Sequence, residues 1–513
     1  MKYPIGIQTF EELRKGNYVY IDKTDLIFKL VDEGKYYFLS RPRRFGKSLL
    51  ISTLESYFKG KKELFEGLKI SKLEKEWMEY PVFHLDMNQA IFTKENELED
   101  VLNNTISCWE DIYGSRPTET TTTLRFNGVI QRAAEKTGKN VVILIDEYDK
   151  PLLQTVNNQD LGDKYRAQLK SFYSCLKTQD KYIKFAFVTG VTKFSKVSIF
   201  SDLNNLADLS MLTQYASICG ITLQEIENYL DIEVEELATS NELSKTDCYS
   251  KLELLYDGYH FSGNSIGVYN PFSLLSTLCN KQFRDYWFET GTPTYLVELM
   301  KNANYALEDI TKEEVDEDTL NGVDTASMNP IPVIYQSGYL TIKDYDNTFG
   351  LYKLGYPNLE VERGFTKFLI PHYLPTTANK GLSTISQFVK AVIAGNAELF
   401  MNLLNAFMAG GNYQIAGDAE LYFHNAVYII FKMMGFYVDV EYPTSDGRMD
   451  MLVRTSDFIY IIEFKIDKSA DEALRQIEAK EYAGQFASDP RKLFKIGVNF
   501  SSETRRIEGW KIS

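Results

Sequence analysis

The sequence has few of the residues that bind soft metals. Its 513 residues include 4 His and 5 Cys, and no two Cys stand in a CxxC spacing. A zinc cluster is therefore not expected, and the thiols point to a reducing compartment rather than a disulfide scaffold. Proline and glycine are also scarce, at 14 and 31 residues, which excludes collagen-like and low-complexity chains. No apolar run approaches the ~18 residues that a membrane helix needs. The opening residues, MKYPIGIQTFEELRKG, lack the apolar centre of a secretory signal. A soluble, cytoplasmic protein that does not engage membranes is the expectation. An excess of basic residues is missing as well: 56 Lys and Arg stand against 71 Asp and Glu, net −15. That balance argues against coating nucleic acid by bulk charge, but not against local basic sites.

What is present is a globular composition, 44% apolar and 25% charged, at a length that suggests two to four domains. The negative charge is unevenly placed. Residues 1–60 carry net +4, residues 380–513 net −2, and residues 61–379 net −17. Within the middle, 223–257 holds ten acids and only Lys245 and Lys251. Its apolar residues Leu223, Ile226, Leu230, Val234 and Leu237 fall at helical spacing, which predicts one or two solvated acidic helices.

The first motif lies near the start. YYFLS (36–40) predicts a short buried strand, RPRRFGKS follows, and LLISTLESYF predicts an amphipathic helix. Strand, tight loop, Gly-Lys-Ser and helix is the order of a phosphate-binding loop, in which backbone N–H groups at a helix N-terminus cradle phosphates. Arg43, Arg44, Phe45, Gly46, Lys47, Ser48 and Leu49 are the candidate nucleotide-binding residues. Lys47 would reach the β- and γ-phosphates, and the Ser48 hydroxyl would ligate Mg²⁺. The usual first glycine of G-x-x-x-x-G-K-[ST] is Arg41 here, which would restrict the loop backbone.

The second half of such a site stands about 100 residues on. VVILIDEYD (141–149) predicts an apolar strand ending in Asp146 and Glu147. Asp146 would hold Mg²⁺ and Glu147 would polarise the attacking water. PVFHLDM (81–87), KFAFVTG (184–190) and ASICGI (216–221) are the further strands expected in one parallel sheet with helices on both faces. Thr189, at the tip of 184–190, is either a γ-phosphate sensor or a strand cap. Arg41, Arg43 and Arg44 would neutralise phosphate, act as fingers on a neighbouring subunit's nucleotide, or form surface ion pairs. Arg166 and Lys193 are further finger candidates.

The last 130 residues predict helix, three strands, helix, strand: 418–434, 436–442, 445–454, 458–466, 469–486 and 493–500. Asp450 stands on the second strand, and Glu463 and Lys465 share one face of the third. Adjacent strands lie ~4.8 Å apart, so Asp450 and Glu463 can converge. Two carboxylates with water and phosphate suit Mg²⁺ or Mn²⁺. Lys465 would orient or deprotonate the attacking water, Gln476 would position that lysine or the water, and Glu420 would join the metal shell. The plain alternative is a strand-edge salt bridge. Against it, IIEFK is otherwise apolar, and an inward acid there is costly unless paired or metal-bound.

Taken together, these segments resemble bacterial AAA-ATPase-like proteins with a C-terminal PD-(D/E)XK nuclease-superfamily domain. The resemblance rests on PIGIQTFEELRKGNYVYIDKT (4–24), SRPRRFGKSLL (40–50), VILIDEYDKPL (142–152), FVTGVTKFSKVSIFSDLNNLADLS (187–210), YDGYHF (256–261), VYNPFSLL (268–275), YWFETGTP (286–293), YQSGYLTIK (335–343), LGYPNLEV (354–361), GRMDMLV and IIEFK. That family's loop is similar to RPRRFGKS, Arg41 included. The resemblance implies ATP binding through Lys47 and Ser48, Mg²⁺-linked roles for Asp146 and Glu147, and a nuclease-type centre at Asp450, Glu463 and Lys465, with Glu420 and Gln476 as weaker carry-overs. It implies ATP hydrolase and Mg²⁺-dependent phosphodiesterase activity on DNA or RNA, with defence against foreign DNA as a setting. The expected domains are an ATPase domain (1–259), a winged-helix-like lid (260–379) and an αβββαβ restriction-endonuclease-like domain (380–513), with linkers at TASMNPIPV and around 372–382. The rival reading is a nucleotide-dependent switch or scaffold whose nuclease fold only binds nucleic acid or protein. Oligomeric state stays open.

Overall fold

The computed structural model describes all residues except 156–157, 194–204, 291–293, 323–328, 375–377, 410–418, 442–449, 481–482 and 505. They form two compact units, Met1–Gly291 with Thr311–Val361, and Thr292–Ile310 with Glu362–Ser513. These units are bounded differently from the three sequence segments, since 260–291 and 311–361 fall with the N-terminal sheet. Of the expected linkers, 323–328 and 375–377 lie outside the described residues, and Ile331–Gln336 is helical.

The first unit is built on a five-stranded parallel sheet. Its strands are β1 (Tyr36–Ser40), β2 (Val82–Asp86), β3 (Val141–Asp146), β4 (Ile183–Gly190) and β5 (Ala207–Asp208), in the order β2-β3-β4-β1-β5. The central strands are continuous apolar runs because helices cover a parallel sheet. β3 is buried at all six positions, whereas edge strand β2 alternates, with His84 and Asp86 on the exposed side. β4 lies between β1 and β3, so Ser40, Asp146 and Gly190 end at one edge of the sheet.

Two expectations fail here. The fifth strand is Ala207–Asp208, not 216–221. Residues 216–221 are apolar because Ile218, Cys219 and Ile221 are buried, while Gly220 at φ +102 breaks any extended path. The acidic stretch forms three helices, Leu223–Tyr229, Asp231–Ser240 and Lys245–Tyr256. Ile226, Leu230, Val234 and Leu237 enter their common core, but Leu223 is 45% exposed.

Past these helices, Ile331–Gln336 leads into the hairpin of β7 (Thr341–Asp346) and β8 (Leu351–Gly355), which pairs with the short β6 (Glu314–Val315). This is the helix-and-wing pattern expected between the two motif regions.

The second unit holds a five-stranded mixed sheet: β9 (Asp439–Glu441), β10 (Asp450–Arg454), β11 (Phe458–Ile466), β12 (Lys492–Ser501) and β13 (Arg506–Ile512), in the order β13-β12-β11-β10-β9. Only β11 and β12 run parallel. The sequence pattern did not reveal β13, since RIEGWKI alternates around a glycine and reads as a polar tail. On one face of β11, Ile459 and Ile461 pack with Leu452 and with Ile477 of the helix Ala470–Ala479. On the other face, Phe464 meets Phe423 of the helix Ala419–Met434, which also stacks on Phe500. Among the described residues, no helix is long and apolar enough to cross a membrane.

Candidate functional site

Most of the loop between β1 and the helix Lys47–Phe58 is held by contacts from distant parts of the chain. Arg41 is 1% exposed. Its guanidinium donates to the carbonyls of Ser40 (2.9 Å), Ser210 (2.7 Å) and Tyr215 (3.3 Å) and lies 3.9 Å from the Phe261 ring centroid. Burial pushes its pKa down to about 10, so it stays charged at neutral pH. It is a buried anchor, and the expectations of an arginine finger or surface ion pair fail for it. Pro42 packs on Gly338, where an added Cβ would lie 2.6 Å from the proline ring. The Arg43 carbonyl accepts from Trp287 Nε1 at 3.1 Å. Phe45 is buried edge-on against Tyr259 and Phe261.

The left-handed positions of the loop are Arg44 (φ +68) and Gly46 (φ +90). Arg41 is not among the positive-φ residues, so the missing first glycine removes no conformation that this loop uses. Backbone of alternating hand gathers N–H groups into an anion-binding concavity. Nothing lies within 4 Å of where a Gly46 Cβ would stand, so the approach to the helix N-terminus is open. Exposed Arg44 sits with its guanidinium 4.9 Å from the Phe272 ring, and Arg43 is also exposed. Ser48 is half-buried on the first helical turn. These features fit a nucleoside triphosphate.

Four of the predicted groups converge beside this loop. Lys47, 4% exposed, donates to the Arg41 and Pro42 carbonyls at 3.1 and 3.3 Å and lies 3.3 Å from Glu147 Oε1. Thr189 donates its hydroxyl to Asp146 Oδ1, so it orients the buried carboxylate at the end of β3. Glu147 has φ +54, an unusual conformation for a side chain of this kind and one often found where geometry serves a site.

Sequence reasoning missed Asp149, the third acid of DEYD. It is fully buried and accepts from Val191 N (3.0 Å), Thr192 N (2.6 Å) and Thr192 Oγ1 (2.7 Å). Burial, reinforced by the charge of Glu147, pushes its pKa up to about 6. Asp149 thus ties the segment after β3 to the residues after β4. The other finger candidates are engaged within the chain, Arg166 with Asp163 and Lys193 with Asp208.

An apolar pocket opens beside the loop, lined among others by Ile21, Phe45, Leu49, Cys219, Pro271 and Leu275. Gly46 of the loop and Leu49 of the helix that follows it both line this pocket. On its wall, Lys23 is neutralised by Glu225.

In the second unit, β10 and β11 set Asp450 directly opposite Glu463. Glu463 is 1% exposed, and its Oε1 accepts from Lys465 Nζ at 2.7 Å. Its Oε2 is buried with no hydrogen-bond partner among the described residues, as are Gln476 Nε2 and Asn499 Oδ1. Asn499 is in register with Lys465, and Gly497 with Glu463. A Cβ at Gly497 would lie 2.3 Å from the Ala470 carbonyl and 2.9 Å from Leu474 N. The glycine therefore lets the helix Ala470–Ala479, which carries Gln476, lie directly on the sheet beside Glu463. A glycine inside a buried strand was the available signal for this close approach. A buried carboxylate with one unpartnered oxygen fits a divalent cation ligand. The side chains of Asp450 and Glu420 lie outside those described. Among the described residues, no group of three or more His, Cys, Asp or Glu is placed to hold a metal.

Similarity to known proteins follows the same division. Residues 4–200 match the family described as predicted AAA-ATPase, and residues 418–510 match the PD-(D/E)XK nuclease superfamily. Along its whole length the chain is similar to an uncharacterised protein in the vnfD 5′ region of Azotobacter chroococcum mcd 1. The two are 34% identical over 522 residues, covering 100% of this chain and 98% of that protein.

Proposed function

The chain belongs to the predicted AAA-ATPase family with a C-terminal PD-(D/E)XK nuclease-superfamily domain, and from that premise we propose that it binds and hydrolyses ATP and couples this to metal-dependent phosphodiester cleavage. The observation that carries the nucleotide half is the convergence of Lys47, Asp146, Glu147 and Thr189 at one sheet edge beside an open loop. Mg²⁺-ATP supplies the scissile phosphoanhydride and its charge neutralisation. Lys47 exchanges the Arg41 and Pro42 carbonyls and Glu147 for phosphate oxygens. Glu147, released from Lys47, takes the proton of the attacking water. Ser48 and Asp146 would hold the cation, with Thr189 fixing the Asp146 carboxylate. The apolar pocket beside Leu49 takes the base. Of the expected lid region 260–379, the part within the first unit, 260–291 and 311–361, serves as the lid.

In the second unit, Asp450 and Glu463 would hold Mg²⁺ or Mn²⁺, with Glu420 as a further ligand, and the cation supplies charge stabilisation at the phosphate. Lys465 holds or deprotonates the attacking water, and Gln476 positions Lys465. The buried, half-satisfied Glu463 supports this reading. DNA or RNA is the substrate class, the cytoplasm the setting, and defence against foreign DNA the role that the domain pairing suggests. The second reading, a nucleotide-dependent scaffold, is favoured by one observation: residues 380–513 carry 15 basic against 17 acidic residues, few to neutralise phosphates.

Titration calorimetry with Mg²⁺-ATP tests the nucleotide half. Lys47→Ala should weaken binding by about 100-fold, the worth of a charge-assisted contact in a desolvated site. Equal affinity in the variant would refute the assignment.

A further inference from the structure

Trp287 and Glu360 lie outside the catalytic groups, yet they connect to the phosphate loop through an unbroken series of hydrogen bonds. Trp287 Nε1 donates to the Arg43 carbonyl at 3.1 Å, and Trp287 N donates to Glu360 Oε1 at 2.8 Å. Ser273 Oγ donates to the same carboxyl oxygen at 3.0 Å. Trp287 is 6% exposed and Glu360 1%. The indole ring is braced by Tyr339, at 5.2 Å between centroids.

Arg43 O and Arg44 N–H belong to one planar trans peptide, in which carbonyl and N–H point in opposite directions. By holding the carbonyl, Trp287 aims the Arg44 N–H the other way. Arg44 is also one of the two left-handed residues that shape the loop. Control of this one peptide is thus control of part of the anion cradle.

The position of the pair along the chain adds a second, independent fact. The chain passes between the two compact units after Gly291, after Ile310 and after Val361. Trp287 stands four residues before the first crossing, and Glu360 one residue before the third. Their mutual hydrogen bond ties two of the three crossings to each other and, through Arg43, to the loop. Both residues belong to segments that carry the family resemblance, YWFETGTP and LGYPNLEV, and the nucleotide chemistry uses neither.

We propose that Trp287 and Glu360 are positioning residues that set the phosphate loop for a nucleoside triphosphate and pass its occupancy to the chain crossings. The proposal rests on the nucleotide-binding reading above. Binding that draws the Arg44 N–H toward phosphate rotates the Arg43 carbonyl against Trp287, and Glu360 feels that movement at the start of the helix Leu359–Tyr373. By linkage, whatever stabilises that helix start also strengthens nucleotide binding.

The test uses the full chain, Mg²⁺ and a non-hydrolysable ATP analogue, with affinity by calorimetry and hydrogen exchange across 359–373. Trp287→Phe, which keeps the ring but lacks the donor, should bind about tenfold more weakly, the worth of one buried hydrogen bond. Glu360→Ala should lose a similar factor, and Glu360→Gln, which retains the acceptor oxygen, should recover most of it. Saturating analogue should change exchange in 359–373 in the wild type but not in Trp287→Phe. Wild-type affinity in Trp287→Phe and Glu360→Ala, or an unchanged exchange response in Trp287→Phe, would overturn the proposal while leaving nucleotide binding intact. No binding by the wild type would overturn the nucleotide reading and this proposal with it.

Discussion

Replacing Glu360 by Gln should change how stability depends on pH, and the structure gives the size and sign. Burial, only partly offset by the Trp287 and Ser273 hydrogen bonds, pushes the carboxyl from its ordinary 4.5 up to about 8. Between these values the folded chain keeps a proton that the unfolded chain has lost. The associated stability is complete below about pH 4.5 and disappears as pH rises through about 8. A single proton changes stability by at most ~1.4 kcal/mol per pH unit, so the whole window is worth no more than ~5 kcal/mol. Glutamine is neutral throughout and keeps the oxygen that accepts from Trp287 N and Ser273 Oγ. The variant should therefore match the wild type near pH 5 and exceed it by ~1–3 kcal/mol at pH 9, with the penalty of an ionised buried carboxylate removed. Scanning calorimetry of both proteins from pH 5 to pH 9 reads this directly, on the transition of the first unit. Parallel pH profiles would refute the reasoning, because Glu360 would then ionise as readily in the folded chain as in the unfolded one.

Other expectations follow from single contacts. Arg41→Gly, which restores the usual loop glycine, should destabilise the first unit by about 3 kcal/mol, because it strips a buried cation from the Ser40, Ser210 and Tyr215 carbonyls. Thermal melting checks this, and an unchanged midpoint would contradict the anchor role. Gly497→Ala should cost about 2–3 kcal/mol and raise hydrogen exchange across 470–479, since its Cβ would strike the Ala470 carbonyl.

Much of this architecture was legible in the sequence because it is local. β1 and β3 are short apolar runs flanked by Gly-Lys-Ser and by Asp-Glu, so their ends announced the nucleotide site. Glu463 stood out as an acid in an apolar strand, and its pairing with Lys465 follows from their spacing alone. What escaped the sequence depends on distant contacts. Arg41 looked like a defect in a motif, and only the carbonyls of Ser210 and Tyr215, some 170 positions on, make it an anchor. The apolar run 216–221 was read as a strand, although its burial comes from packing and Gly220 turns the backbone away. Trp287 and Glu360 gave no signal as a pair, since 73 positions separate them. β13 was missed because an edge strand half-covered by one neighbour has too little apolar content to stand out.

The central claim is that one chain joins an ATP site to a metal-dependent phosphodiesterase. It is tested most directly by assaying cleavage of single- and double-stranded DNA and RNA with Mg²⁺ or Mn²⁺, with and without ATP, by wild type, Asp450→Ala and Lys47→Ala. The account predicts metal-dependent cleavage by the wild type, its loss in Asp450→Ala, and loss of the ATP response alone in Lys47→Ala. Cleavage that survives Asp450→Ala would contradict the site, and no cleavage of any substrate by the wild type would favour the scaffold.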